Sequence, residues 1–433
     1  MSVELATVLL FGGMILLLAL GVPVAFAIGA VCVPIIFLLW GQGGLLTLVT
    51  TTVGTITDPT LITIPLFLLM GNFLLQSGIS ERLFQAVSYW LSGVRGGLAM
   101  VAVVVCVALA MVSGFGPGML TMGLIAVPAM LKRSYNKSLA LGTVMAGGVL
   151  GDIIPPSIIM IVFAFVARVS IGKLFFGGVI PGLICAGLYI LYIAIRCQFQ
   201  PELAPRLAEN VTWKMRWTAL KEMIPPIFLI VVVLGSIFLG IATPTEAAGV
   251  GAFGAFLCCL GYRRLSWSML LTSCLETVKI TGMALWILVA ATLFGVTTTM
   301  AGIRELVIGV ISGLPVNRWV ILAGMQILLL VLGMFMDDYA IITICAPIFV
   351  PIAVALGFDL VWFSIVFILN MQVAYLTPPF GWCLILMKGV APPEISTGDI
   401  WRSVPPFVSM QVLVLVLTIL LPQLALWLPG RMF

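Results

Sequence analysis

The segment GDIIPPS at residues 151–157 decides how this chain folds, and its counterpart LTPPFG stands at residues 376–381. Each proline pair interrupts an apolar stretch that would otherwise continue as a helix. A proline inside a helix removes one backbone hydrogen bond and clashes with the preceding turn. Unpaired carbonyls and amides are therefore predicted at both places, and in an apolar environment they must face a cavity or other protein.

The two proline pairs belong to an internal repeat. The pair at 155–156 precedes the pair at 378–379 by 223 residues, and Pro128 precedes Pro351 by the same offset. Repeats of this kind are typical of membrane transporters. The sequence therefore predicts a duplicated chain.

The first repeat is predicted at residues 1–195. It contains five crossings and one re-entrant hairpin, the hairpin at 98–131, and one of its crossings is a broken span at 138–168. Because five is an odd number, the second repeat must lie upside down relative to the first.

The second repeat is predicted at residues 222–433. Its hairpin falls at 319–354 and its broken span at 361–390. Residues 196–221 are predicted to link the repeats along the cytoplasmic interface, since they combine basic and aromatic side chains. The hairpins and broken spans would slide as a transport domain against the unbroken helices of a scaffold.

The composition requires a lipid environment. Of the 433 residues 62% are hydrophobic and 8% are charged, whereas a soluble domain carries about 25% charged residues. The expected fold class is therefore an all-α polytopic membrane protein. With both termini outside, 15 of the 20 Lys and Arg residues lie on the cytoplasmic side, in agreement with the positive-inside rule.

The chain contains no His. This excludes serine and cysteine triads and most catalytic metal sites. We therefore expect a transporter that is not an enzyme, has no cofactor and binds no nucleic acid. A membrane enzyme and a scaffold subunit without transport of its own are the alternatives.

The four breaks, two in each repeat, carry the candidate site. Exposed helix amino termini favour carboxylates, while helix carboxyl termini and unwound carbonyls favour cations such as sodium. Acidic residues inside a membrane are costly and usually functional. The predicted sodium-binding residues are Ser113, Gly114, Asp152, Pro155, Asp337 and Thr377. The predicted substrate-binding residues are Gly116, Pro156, Ser157, Asp338, Pro378 and Pro379.

Two alternatives remain open for these residues. A single proline break is also explained by a packing kink, and an aspartate at a break is also explained by a helix cap. Between the adjacent aspartates we expect Asp337 to hold sodium and Asp338 to point elsewhere. Glu246 lies in the segment ATPTEAAG at 242–249. It is predicted to lie in the first turn of a helix that Thr243 or Thr245 caps, which is a structural role.

At this point the sequence resembles a known family, the large membrane subunit of tripartite ATP-independent periplasmic (TRAP) transporters. The resemblance covers the whole chain in an ordered set of motifs: LGVPVAF at 20–26, IPLF at 64–67, IIPPS at 153–157, SIGKLF at 170–175, IPG at 180–182, ATPTEAA at 242–248, GMF at 333–335 and LTPPFG at 376–381.

The resemblance implies a sodium-driven elevator importer of a small carboxylate in a bacterial inner membrane, where the outer side predicted for both termini is the periplasm. It also implies two partners, a small four-span membrane subunit and a periplasmic substrate-binding protein. A self-sufficient sodium/carboxylate symporter of the divalent-anion type is the alternative. The chain departs from the family at SGFGPG, residues 113–118, where a Ser-Gly-Ser type of tip is usual, and at Asp152, where an uncharged residue is usual.

Overall fold

The computed structural model describes residues 2–113, 116–205, 211–313 and 315–432. Every helix and strand position assigned in this described part is helical, which confirms the all-α class. The first half contains nine α-helices, which we number in chain order: α1 Val3–Ala19, α2 Val24–Ile56, α3 Thr63–Gln76, α4 Ile79–Trp90, α5 Gly97–Ser113, α6 Pro117–Leu131, α7 Lys137–Val149, α8 Ile158–Ala167 and α9 Ile171–Phe199.

Eleven further helices follow in the described part of the second half. They are α10 Trp213–Phe238, α11 Pro244–Gly261, α12 Trp267–Met300, α13 Ile303–Ser312, α14 Arg318–Gly333, α15 Asp338–Ala355, α16 Leu360–Tyr375, α17 Trp382–Val390, α18 Thr397–Ser403, α19 Pro405–Leu420 and α20 Gln423–Leu426. The broken span expected at 138–168 consists of α7 and α8, and the one expected at 361–390 consists of α16 and α17. The hairpin expected at 98–131 contains α5 and α6, and the one at 319–354 contains α14 and α15.

Helix length distinguishes full crossings from half-length arms. Seven helical segments of the described chain are long and apolar enough to cross a membrane, and the bent helix α10 makes an eighth. Helices α5, α6, α8, α14 and α16 are apolar but no longer than 17 residues. Since a crossing needs roughly 20 residues, these arms reach only part of the way unless they combine across a break.

The outer surface is apolar, as a lipid-facing surface must be. Large side chains such as Leu38, Phe228, Phe253 and Val278 are more than 60% exposed. A water-facing protein rarely exposes extended apolar patches of this kind. The chain is thus a multi-pass membrane protein.

Gly78 and Gly302, which are 224 residues apart, form a pair of equivalent turns. Gly78 separates α3 from the amphipathic helix α4, and Gly302 separates α12 from α13. Both adopt the left-handed conformation, with φ of 74° and 73°. This region is costly for residues with a Cβ atom, so a glycine is needed at both turns.

Two features differ from the sequence-based boundaries. Helix α2 contains a kink at Gly41, whose φ of 59° and ψ of −143° are not helical, although no proline stands at this position to signal it. The linker expected at 196–221 is also shorter, because α9 continues to Phe199 and α10 begins at Trp213. Apolar and basic residues alternate too irregularly in this stretch for the sequence to mark the helix ends.

The capping motif predicted around Glu246 is confirmed. The Thr243 hydroxyl accepts a hydrogen bond from the Glu246 backbone N–H at 3.3 Å, and a Glu246 carboxylate oxygen accepts one from the Thr243 N–H at 2.8 Å. This reciprocal arrangement satisfies two helix-terminal donors at the start of α11. Glu246 therefore has a structural role.

The two halves are interleaved. Helix α3 packs along α11 of the second half, and α2 packs along α12. The first hairpin packs on α7 and α17, whereas the second packs on α16 and α8. Each hairpin thus rests on broken helices from both halves.

Helix α9 fixes the position of the first break through a glycine face. A Cβ atom on Gly178 would lie 2.1 Å from the Ile153 carbonyl oxygen, and one on Gly182 would lie 2.5 Å from an Ile154 side-chain carbon. No residue with a Cβ fits at the first of these positions without moving the backbone. The glycines therefore permit the interrupted chain to lie directly against α9.

We expect Gly178→Ala to destabilise the folded protein by about 1–3 kcal/mol, the usual range for overpacking a core. Gly187→Ala is the matched control, because Gly187 lies on the same helix and a Cβ atom added to it would meet no heavy atom within 4 Å. The control should be neutral or stabilising by up to about 1 kcal/mol through helix propensity. Thermal unfolding of the detergent-purified variants measures both, and equal midpoints for the two would contradict this account.

Candidate functional site

The first break, residues 150–157, is closed by protein. All eight residues, Pro155 and Pro156 included, are buried. The Ser157 hydroxyl donates a hydrogen bond to the Asp152 carbonyl at 2.8 Å. The Ser157 Oγ also accepts a hydrogen bond from the Met160 N–H, at the start of α8, at 3.3 Å. One side chain therefore satisfies groups on both sides of the break.

The second break, residues 376–381, is more open. Pro379 and Phe380 are exposed, and Thr377 and Pro378 are half-buried. The Gly381 N–H donates a hydrogen bond to the Met334 carbonyl at the tip of the second hairpin, at 3.2 Å. This bond holds the hairpin tip against the break.

The two broken helices meet through one buried amide. The Gln372 side chain of α16 donates a hydrogen bond from Nε2 to the Val149 carbonyl at the end of α7, at 2.6 Å. These residues are 223 positions apart, the same offset that relates the proline pairs. The bond therefore joins equivalent positions of the sequence repeat, and we call this contact the centre of the candidate site.

Two carboxyl groups share this centre. Asp152 is 1% exposed and Asp338 is 5% exposed, and the two side chains interact electrostatically. Both oxygens of Asp152 and Oδ1 of Asp338 lack a hydrogen-bond partner. Within the described ranges, no Lys or Arg forms an ion pair with either group. An isolated buried carboxylate is strongly unfavourable, so the geometry calls for a bound cation or proton.

The orientation of the adjacent aspartates is opposite to that expected from the sequence. Asp337 is exposed and caps α15, because its Oδ1 accepts a hydrogen bond from the Ala340 N–H at 2.7 Å. Asp338, the first residue of the helix, is buried and interacts with Asp152 and with the Tyr375 hydroxyl. A sequence read as a regular helix places the two side chains about 100° apart but cannot say which one faces the core.

The remaining predicted residues fall into three groups. The Thr377 hydroxyl, just beyond the end of α16, donates a hydrogen bond to the Val373 carbonyl of that helix at 2.7 Å. Gly116 immediately precedes α6 and has a φ of 91°. The Ser113 side chain and Gly114, at the tip of the first hairpin, lie outside the described residues.

Sequence reasoning missed the amides of α16. The Asn370 Nδ2 donates to the Gln326 backbone carbonyl at 2.9 Å and to its Oε1 at 2.7 Å, which joins α16 to α14. The Oε1 of Gln372 and the Oδ1 of Asn370 are buried without a partner. The signal that could have revealed them was the pair of amides in NMQ, residues 370–372, inside an otherwise apolar span.

Comparison with known proteins assigns the family. The protein-family model described as "Tripartite ATP-independent periplasmic transporter, DctM component" matches residues 11–424. The C4-dicarboxylate TRAP transporter large permease protein DctM of Pseudomonas aeruginosa is 35% identical over 376 residues, which cover 86% of this chain and 86% of that protein. The isethionate TRAP transporter permease protein DctMQ of Oleidesulfovibrio alaskensis is 32% identical, over 97% of this chain and 66% of that protein.

The fold also resembles a solved transporter. The crystal structure of the Alcanivorax borkumensis YdaH transporter superposes with a TM-score of 0.64 over 90% of each chain, at 18% sequence identity. This likeness concerns the fold alone. The relatives named above are transporter permeases and not enzymes. The chain therefore belongs to the DctM family, the large membrane permease subunit of tripartite ATP-independent periplasmic transporters.

Proposed function

We propose that this permease imports a small organic anion together with sodium ions, by an elevator movement of its hairpins and broken helices. The substrate class is supported by the relatives, whose names specify C4-dicarboxylate and isethionate. Both are small organic anions. Import of such an anion against the membrane potential needs cations, since each positive charge that moves inward gains about 2.3 kcal/mol per 100 mV.

The observation that carries the sodium proposal is the pair of buried carboxyl groups of Asp152 and Asp338, one from the first break and one from the second hairpin. Their unpartnered oxygens are hard ligands of the kind that alkali and alkaline-earth cations prefer. Carbonyls released by the breaks complete such a shell in transporters built from discontinuous helices. The proposed ion therefore joins the two halves of the chain, and its binding would favour the packed arrangement of hairpin and break.

The elevator proposal is supported by how the helices are grouped. The hairpins pack on α7, α8, α16 and α17, and α9 packs on the first break through Gly178. Helices α2, α3, α10, α11 and α12 pack on one another as a second group. Under this proposal the first group moves as one body, with the second as its support.

The partners and the location follow from family membership as proposals. A small four-span membrane subunit would complete the permease, and a periplasmic binding protein would deliver the anion. The permease would lie in the bacterial inner membrane with both termini in the periplasm, as the distribution of Lys and Arg favours.

The dependence on a binding protein is tested by reconstitution. Liposomes that contain this chain and its small membrane partner should accumulate the anion only when the periplasmic binding protein is added, because that protein supplies the substrate. Uptake is measured with radiolabelled substrate under an inward sodium gradient. Equal uptake by the chain alone would instead identify a self-sufficient symporter.

The sodium site is tested by neutralising its carboxylates. Asp152→Asn and Asp338→Asn should each raise the sodium concentration for half-maximal uptake more than tenfold, because losing a charged ligand costs on the order of 1.5–3 kcal/mol. Asp337→Asn is the matched comparison. It should raise the sodium concentration for half-maximal uptake less, since an asparagine still caps α15.

A second readout separates binding from transport. Sodium should raise the unfolding temperature of the purified wild-type protein, because a ligand that binds only the folded state stabilises it. The two asparagine variants should lose this effect. An unaltered sodium response in both would rule out the site, and uptake driven by a proton gradient without sodium would indicate that the carboxyl pair carries a proton.

The elevator movement is tested with a disulfide between α9 and α10. A Cβ on Gly172 would contact the Cγ2 of Ile237 at 3.3 Å, so Gly172→Cys and Ile237→Cys place two thiols on neighbouring side chains, where a disulfide can be tested. Oxidation should abolish uptake and reduction should restore it. Each single cysteine variant is the control for oxidation damage. Full-rate uptake by the cross-linked protein would contradict the movement of α9 against α10.

A further inference from the structure

A cavity in the described part of the chain lies away from both breaks. Its volume is about 550 Å³, and it is bounded by α8, α12 and α15, with further residues from α2, α13 and α16. Cavities of roughly 300–1,000 Å³ are typical of small-molecule sites. None of the residues predicted from the sequence to bind sodium or substrate lines it.

The charged groups found among the described residues of this cavity are both cationic. Arg168 follows the end of α8, and Arg304 stands in the first turn of α13. No acidic side chain is among the described residues that line the cavity, and neither arginine forms an ion pair there. Two guanidinium groups beside one cavity repel each other, and an anion between them removes that repulsion.

Helix geometry gives only one of these arginines a structural explanation. A cation at the end of α8 interacts favourably with the helix dipole, so Arg168 is stabilising at its position. A cation in the first turn of α13 is unfavourable by the same rule, although Glu305 beside it partly compensates. The amino-terminal N–H groups of α13 and Arg304 together make this end of the cavity attractive to an anion.

Asp58 interacts electrostatically with Arg168 but forms no ion pair with it among the described residues. The Asp58 carboxylate accepts hydrogen bonds from the Thr60 N–H at 2.9 Å and from the Thr60 hydroxyl at 2.6 Å. These bonds, and to a smaller extent the Arg168 charge, hold the pKa of Asp58 below its usual value. The Asp58 carboxylate therefore bonds to Thr60 in its own turn. The Cζ of Arg168 lies 5.8 Å from the centroid of the Phe165 ring.

The rest of the cavity is suited to a carbon skeleton. Apolar side chains of α8, α12, α15 and α16 form most of its wall. The hydroxyls of Thr292 and Thr299 donate to carbonyls of their own helix at 2.8 and 2.9 Å. The arginines are therefore the strong donors that face the cavity, which favours a ligand with acceptor oxygens at one end.

We propose that this cavity is an oxyanion-binding site separate from the helix breaks, in which Arg168 and Arg304 bind the carboxylate, sulfonate or phosphate group of an organic anion and the apolar wall covers its carbon chain. Guanidinium groups suit such planar or tetrahedral oxyanions because they donate two hydrogen bonds at once. The oxyanion has two possible sources, a free organic acid and the headgroup of an anionic phospholipid. The site does not depend on sodium coupling.

The test measures binding to the purified protein without sodium. The unfolding temperature is followed as potassium succinate is added at constant ionic strength, and separately in nanodiscs of phosphatidylcholine with or without phosphatidylglycerol. At least one of the two probes should stabilise the wild-type protein in a saturable manner. The double variant Arg168→Gln/Arg304→Gln should bind that probe at least tenfold more weakly.

Matched variants separate the site from general charge effects. Arg318→Gln removes a guanidinium that lies over the Trp319 and Phe358 rings, outside the cavity, and it should respond like the wild type. Val350→Phe keeps both arginines and fills the cavity, so it should weaken binding even if the double variant does not fold.

The two probes identify the source of the oxyanion. If succinate stabilises the protein equally in nanodiscs with and without phosphatidylglycerol, the ligand is a free acid. If phosphatidylglycerol itself stabilises the protein and reduces the effect of succinate, the ligand is a lipid headgroup. Either result supports the site. The proposal is overturned if neither probe stabilises the wild type, or if Arg168→Gln/Arg304→Gln and Val350→Phe respond as the wild type does.

Discussion

The structure depends on one constraint, which is that an interrupted helix inside a membrane must find partners for its backbone within the protein. At the first break Ser157 bonds both sides of the gap, and Gly178 allows α9 to lie against the Ile153 carbonyl. At the second break Gly381 bonds the hairpin tip at Met334. Because water is absent from a bilayer core, these contacts are what permits the breaks to exist.

The same constraint brings polar side chains to the centre of the molecule. The Gln372 amide of α16 reaches the last carbonyl of α7, and it does so at the position where the two halves meet. Asp152 and Asp338 lie in this environment with oxygens that no protein group satisfies. A low dielectric makes such groups costly when empty and strongly attractive when a cation is present, which is the physical basis of the sodium proposal.

The halves share their architecture but not their surroundings. The first break is wholly buried, while Pro379 and Phe380 of the second are exposed. The first break supplies the buried carboxyl group of Asp152, and the second hairpin supplies that of Asp338. The cavity bounded by Arg168 and Arg304 lies at another junction, where α12 packs on α8 and α15. The two breaks therefore differ in burial, since each packs against different helices of the other half.

The sequence alone determined the lipid environment, the all-helical class, the positions of the broken helices and the Thr243–Glu246 cap. These depend on composition, on proline and on short-range hydrogen bonds, all of which are local. Only the tertiary structure decided that Asp338 faces inward while Asp337 caps its helix, that Gln372 lies at the centre, and that Arg168 and Arg304 share a cavity. Each of these facts joins residues from different helices, and the distance between two helices is set by packing, which no local pattern encodes.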